Sequence, residues 1–116
     1  MKRPFVVLSC CMSHRAARSG AASFLASDVM YAESLNRVRT VHLAGGESFR
    51  VNMTLAQIFD RLADERFMYC HRSVVVNLDY VRLLSEEMLT LVDGAQLPVG
   101  RRRMQEVRAA FKARRG

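Results

Sequence analysis

From Asp28 to Val99 the chain is a succession of short apolar runs separated by turn signals, and within that span only one stretch reads as a helix. Asp28-Val29-Met30-Tyr31-Ala32 is strand-like. Arg37 to Leu43 is β-branched and charged, as expected of a partly buried strand. Gly45-Gly46 marks a tight hairpin. Phe49, Val51 and Met53 then alternate with Ser48, Arg50 and Asn52, the period of a half-buried strand. At Thr54 the pattern changes. Thr54 and Gln57 form a capping-box signature, and Leu55, Ile58, Phe59 and Leu62 recur at helical spacing. The spacing predicts a helix over 55–64. A chain punctuated in this way is confined to a mainly β fold.

Beyond the helix, Phe67 to Cys70, Val74 to Asn77, Tyr80 to Leu84 and Met88 to Val92 are strand-like. Asp93-Gly94 is a turn, and Gln96 to Val99 follows as a further strand. Arg101 to Arg115 reads as a basic amphipathic helix with Met104, Val107 and Phe111 on one face. Near the start, Phe5 to Leu8 is expected to be a first strand with a polar continuation. Ser13 to Ala26 is rich in Ala, Ser, Gly and Arg, which suits a loop, a weak helix or a poorly ordered arm.

With 116 residues there is room for one domain. The three cysteines, two of them adjacent, make no disulfide framework and point to a reducing compartment. No Cys-x-x-Cys pair exists and His14, His42 and His71 are scattered, so no metal site is expected. The opening residues resemble a signal peptide in outline, but the apolar run breaks at Ser9, too short for export. His71, Ser73 and Asp79 have the chemistry of a hydrolytic set. They lack a nucleophile elbow, an oxyanion loop and enough chain for an enclosed pocket, so an enzyme is not expected. Gly45-Gly46 is no phosphate loop, because no Gly-Lys-Ser/Thr follows. Cys70 is expected to be a buried structural thiol; partial exposure beside His71 and Arg72 would instead lower its pKa. No cofactor and no small-molecule substrate are expected.

Charge is the informative property. The net charge is +7, distributed as +4 over 1–39, −3 over 40–100 and +6 over 101–116. A solubility surface would mix the signs, whereas concentration at the ends suits a polyanionic partner. The basic groups occupy three loop-like places. Arg37 and Arg39 follow Glu33-Ser34-Leu35-Asn36, Arg72 lies between His71 and Ser73, and Arg101-Arg102-Arg103 follow Pro98-Val99-Gly100. Arginine pairs bidentately with guanine edges and clamps phosphates.

The run Phe67-Met68-Tyr69-Cys70-His71-Arg72-Ser73-Val74-Val75-Val76-Asn77-Leu78 resembles the F-x-R-x-H-R/N-S-x-I-V-N-L motif of LytTR DNA-binding domains. The likeness continues through Tyr80-Val81, Leu89-Thr90-Leu91, Asp93-Gly94 and Leu97-Pro98-Val99-Gly100-Arg101. Upstream, Asp28-Val29-Met30-Tyr31-Ala32-Glu33-Ser34 is similar to the family's D-I-x-Y-I-E-S/A. The resemblance implies an elongated stacked-sheet β-fold of ten strands, with one short internal helix and a basic C-terminal helix. It also implies a DNA-binding domain over 27–108, preceded by a poorly matched 1–26, expected to be an N-terminal arm, an additional strand or a partner-binding segment, and followed by a basic tail over 109–116.

By the same resemblance, the chain is expected to be a stand-alone bacterial transcription regulator that inserts loops into successive major grooves of double-stranded DNA. The three loops would be Asn36-Arg37, His71-Arg72-Ser73 and Gly100-Arg101-Arg102. Base contacts fall to Arg37, Arg72 and Arg102, with Arg39, His71, Ser73, Arg101 and Arg103 on phosphates or in support. Three departures stand out: Gly100 replaces the usual serine, Met68 stands where a basic residue is common, and no receiver domain is expected. Most family members carry a receiver domain, and no acidic phosphoacceptor pocket is present here. A homodimer on repeated half-sites and a cytoplasmic, nucleoid-associated location are the corresponding expectations, with no membrane partner. Two alternatives compete. One is a protein-interaction module that pairs with or sequesters a larger regulator. The other is non-specific RNA or membrane binding through the terminal helix, disfavoured for RNA by the lack of aromatic stacking groups.

Overall fold

A computed structural model describes residues 5–11 and 19–115, with side chains over 24–114. The described residues form ten strands and two α-helices. In chain order these are β1 (Phe5–Cys11), β2 (Ser19–Leu25), β3 (Val29–Leu35), β4 (Val38–Leu43), β5 (Ser48–Val51), α1 (Leu55–Leu62), β6 (Phe67–His71), β7 (Val74–Asn77), β8 (Val81–Leu84), β9 (Met88–Leu91), β10 (Gln96–Pro98) and α2 (Met104–Arg115). Single 3₁₀ turns cover Ala26–Asp28, Leu78–Tyr80 and Arg101–Arg103.

Seven antiparallel strands make one sheet in the order β2-β1-β5-β4-β3-β7-β6, and β10-β9-β8 make a second. The large sheet is covered on both faces where β7 runs through it. Val75 faces a core closed by Leu55, Ile58 and Leu62 of α1 together with Val29, Ala32, Val41 and Phe67. Val74 and Val76 face the opposite core, shared with Leu89, Leu91 and Leu97 of the small sheet and Val107 of α2. Double coverage explains why this strand is the unbroken apolar run Val74-Val75-Val76, since alternation is lost when neither face meets water.

The helix begins as its capping box predicts. Gln57 N–H donates to Thr54 Oγ1 at 3.1 Å, and Thr54 N–H donates to Gln57 Oε1 at 2.9 Å. It ends at Leu62 rather than residue 64, because Ala63 turns left-handed at φ 44°. The two glycine turns form as expected, with Gly46 and Gly94 both at φ 94°, a region where a side chain is strained. At the terminal helix the first turn is 3₁₀, and α2 then buries Val107 with Met104, Ala110 and Phe111 packed beside it.

Three expectations need correction. Ser19–Leu25 is a strand rather than a loop, helix or arm, despite its weak β formers. Pairing with β1 from Phe5↔Leu25 to Cys11↔Ser19 holds it extended, so tertiary context overrides propensity. Residues 13–18, the other part of the Ser13–Ala26 reading, lie outside the described residues. Glu33-Ser34-Leu35 is not loop but the end of β3, paired to β4 as far as Leu35↔Val38. Arg37 is correspondingly in the turn and not in the strand.

Candidate nucleic-acid interface

The first loop is the two-residue turn Asn36-Arg37 between β3 and β4, with φ of 52° and 67°. Positive φ at both central positions gives the mirror-image turn whose twist suits a hairpin. Asparagine tolerates that region, whereas arginine is uncommon there. Both side chains are exposed. Arg39 is not free to join them. Its Nε donates to Met53 O at 2.8 Å and its Nη1 donates to Arg37 O at 3.0 Å. Arg39 therefore braces the turn from beneath. The nearby Glu33 carboxylate accepts from His42 Nε2 at 2.8 Å, and His42 is stacked on Tyr31 with ring centroids 4.2 Å apart. That carboxylate is thus engaged within the sheet, away from the loop's charge.

The second loop is Arg72-Ser73, between β6 and β7. Ser73 N–H donates to His71 Nδ1 at 3.1 Å, and Ser73 Oγ lies 3.0 Å from the same nitrogen. An accepting Nδ1 puts the ring proton on Nε2. The half-buried imidazole folds back on its own turn, while Arg72 is exposed. The hydrolytic set does not assemble, because Asp79 Oδ1 accepts from Arg114 at 2.7 Å. No third group orients His71 among the described residues.

The third loop is Gly100 with the 3₁₀ turn Arg101–Arg103. No side chain caps this turn, as the replacement of serine by Gly100 anticipates. Arg101 and Arg102 are exposed. Arg103 is half-buried, its guanidinium 5.3 Å from the centre of the Tyr69 ring. Tyr69 in turn packs on Phe59 of α1 at 5.1 Å. Arg103 therefore anchors the loop to the body through a cation–π contact.

Two backbone hydrogen bonds join the loops. Ser34 N–H donates to Ser73 O at 2.9 Å, which ties the first loop's strand to the second loop. Gly100 N–H donates to Cys70 O at 2.8 Å, which ties the third loop to the strand that enters the second. The second loop is stitched on both sides, and the exposed cations run in the order Arg37, Arg72, Arg101 with Arg102. Cys70 sits beneath the join, fully buried, with its thiol pushed up to about 12 by burial. It is a packing residue and not an activated nucleophile.

Arg50, which no sequence motif marks, joins these residues. It lines a cleft of about 270 Å³ together with Arg37 and Arg39. The signal was present, since the Ser48-Arg50-Asn52 alternation puts Arg50 on the outward face of β5, and hairpin pairing carries that strand alongside β4. A second cleft, of about 630 Å³, is lined by His71 and Arg101 together with Glu86 and Glu87. Its two carboxylates make it a poor seat for phosphate.

A family model for the LytTr DNA-binding domain matches residues 22–112. The chain belongs to the LytTR family. The transcriptional regulatory protein YpdB of Escherichia coli is 31% identical over 88 residues, covering 71% of this chain and 36% of that protein. The chain thus spans about a third of that relative's length. The solved LytTr DNA-binding domain of a Bacillus cereus protein described as a methyl-accepting/DNA response regulator superposes with a TM-score of 0.73 at 20% identity. The match covers 91% of this chain and 96% of the other. The mainly β LytTR fold, with its short internal helix and terminal helix, is therefore the fold of this chain. A LytTR domain is a DNA-binding domain, not a catalytic one. Among the described residues no helix is long and apolar enough to cross a membrane, and no cluster of His, Cys, Asp or Glu could hold a metal ion.

Proposed function

We propose that this chain is a sequence-specific regulator of transcription that reads the major groove of double-stranded DNA with three loops. The observation that carries the proposal is the stitched row of exposed arginines. Rigid backbone contacts on both sides of Arg72 fix the spacing between cations, and a fixed spacing can match successive groove edges. Base contacts are assigned to Arg37, Arg72 and Arg102, with Asn36 beside them. Arg101 and Arg50 take phosphates. Arg39, Arg103, His71 and Ser73 act mainly by holding the loops. The proposed binding unit covers 27–108, and residues 109–116 contribute electrostatic background. Two copies on repeated half-sites, in the bacterial cytoplasm, complete the proposal.

Selection of bound sites from random double-stranded DNA tests it. A defined motif containing two spaced half-sites is the expected outcome. Equal retention of all sequences would sink the sequence-reading role, and capture of a larger protein with no selected DNA would favour an interaction module.

A further inference from the structure

Leu35 is the most exposed large apolar side chain among the described residues, 65% accessible, against 54% for Leu83 and 56% for Val92. Leu83 and Val92 belong to the small sheet and its turn. Leu35 stands at the end of β3, immediately before Asn36 and Arg37. Its position is tightly held. It pairs with Val38 across the turn, its neighbour Ser34 is bonded to Ser73, and Arg39 grips the carbonyl of Arg37. A leucine is thus presented rigidly within a row that is otherwise cationic or polar.

A single exposed leucine is ordinary on a protein surface. Its setting is not. Association of two copies through this patch would bring Arg37 and Arg72 toward their own counterparts, at a repulsive cost. One leucine also falls far short of the roughly 800 Å² per partner that a stable interface buries. In the major groove, however, one base edge is apolar: the C5-methyl group of thymine. We propose that Leu35 is a specificity-determining residue that packs on a thymine methyl next to the base read by the first loop. The proposal rests on the groove-reading function above. It adds a base identity that the arginines do not supply, because guanidinium groups recognise hydrogen-bonding edges.

Deoxyuridine differs from thymidine by that methyl alone, so the test is direct. Sites are first selected with the full chain. Each thymidine of the selected site is then replaced singly by deoxyuridine, and affinity is measured for the wild type and for Leu35→Ala. At one position the wild type is expected to lose about three- to fivefold, the worth of roughly one buried methyl group. Leu35→Ala should bind both sites there equally. Selection with Leu35→Ala should relax preference at the same position.

A wild type indifferent to every uracil overturns the proposal. So does a Leu35→Ala variant that keeps the same loss. If no sequence is selected at all, the groove-reading function fails first and takes this proposal with it, a distinguishable result. Bending of the DNA without methyl dependence would mean insertion between base steps and would also overturn it. Circular dichroism checks that the variant folds. Leu35→Ser is the second variant, and the wild-type uracil scan decides the matter if both fail to fold.

Discussion

The Ser34 amide donates to the Ser73 carbonyl at 2.9 Å, so the hairpin carrying Arg37 and the turn carrying Arg72 move as one body. Arg72 is exposed at the centre of this body, flanked on the other side by the Gly100 bond to Cys70. Its truncation should therefore leave the scaffold intact and remove a single contact. Arg72→Ala is expected to cost about 1–3 kcal/mol in binding and to relax preference at one base position. Melting temperature should be unchanged. Equal weakening on all DNA sequences would show that Arg72 touches phosphate and not a base.

Arg37 is held at φ 67°, where a side chain is strained and glycine is not. A left-handed conformation of this kind costs an ordinary residue about 1–2 kcal/mol. Arg37→Gly relieves that strain, offset in part by the larger entropy of the unfolded chain. The expected net result is a gain in stability of a few tenths to about 1 kcal/mol, with weaker and less selective DNA binding. Urea unfolding and a binding titration on the same preparation check both signs. A variant that is less stable than the wild type would mean that the Arg37 side chain supports the turn.

The elements that the sequence revealed best are those whose local chemistry agrees with their packing. The Thr54–Gln57 box, the Gly46 and Gly94 turns and the buried face of α2 are each legible from a few neighbouring residues. β2 was not, because Ser19–Leu25 is extended only by its partner strand and has no local signal of its own. The loop arginines were visible as basic groups, and the family resemblance set Arg39 and Arg103 apart as phosphate or supporting residues, but the contacts behind that separation were not visible. Arg39 and Arg103 look like Arg37 and Arg102 in sequence. What separates them is the long-range bond to Met53 O and the Tyr69 ring, contacts that no spacing rule supplies. Arg50 was missed for the opposite reason: it lies in a plain strand, and only the β4–β5 pairing brings it to the cleft that Arg37 and Arg39 line.

Arg50 also offers a clean separation of phosphate from base contacts. It is exposed on β5, in a strand and not in any of the three loops. Arg50→Ala is expected to weaken binding to all sequences by the same factor. It should also lower the slope of log affinity against log salt by about 1, the release of one phosphate's counterion. Affinities measured at several salt concentrations decide this. An unchanged slope with unchanged affinity would remove Arg50 from the interface.

Asn77 is fully buried, yet its side chain is used twice. Its Nδ2 donates to Val29 O at 2.9 Å, and its Oδ1 accepts from Asp79 N–H at 2.9 Å. The first bond locks β7 to the start of β3, and the second caps the following 3₁₀ turn. Asn77→Ala leaves both backbone groups without this partner and opens a small void, for an expected loss of about 2–4 kcal/mol. Asn77→Asp should also destabilise, since a carboxylate can cap the turn but cannot donate to Val29. Chemical denaturation gives both values. A loss below about 1 kcal/mol would show that water or neighbouring groups replace these bonds without cost.

Burial raises the Cys70 thiol from its ordinary 9.0 to about 12, with a backbone hydrogen bond and then the Arg103 charge pulling the other way. In the folded protein the thiol stays protonated through the neutral range, and the thiolate is the reactive form. Alkylation of Cys70 at pH 8 should therefore require local opening and be slow, as peptide-resolved mass spectrometry would show. The raised pKa also has a stability consequence. The unfolded chain loses this proton near pH 9 while the folded chain holds it to about pH 12. The thiol's contribution is thus fully present below pH 9 and declines as pH rises toward 12. Tyr31, Tyr69 and Tyr80 are raised by burial as well, so the comparison must be made against a variant that keeps them. Cys70→Ala is that variant. Its stability deficit relative to the wild type should shrink steadily between pH 9 and pH 12, and a constant deficit across that window would show that the thiol is not held neutral by the fold.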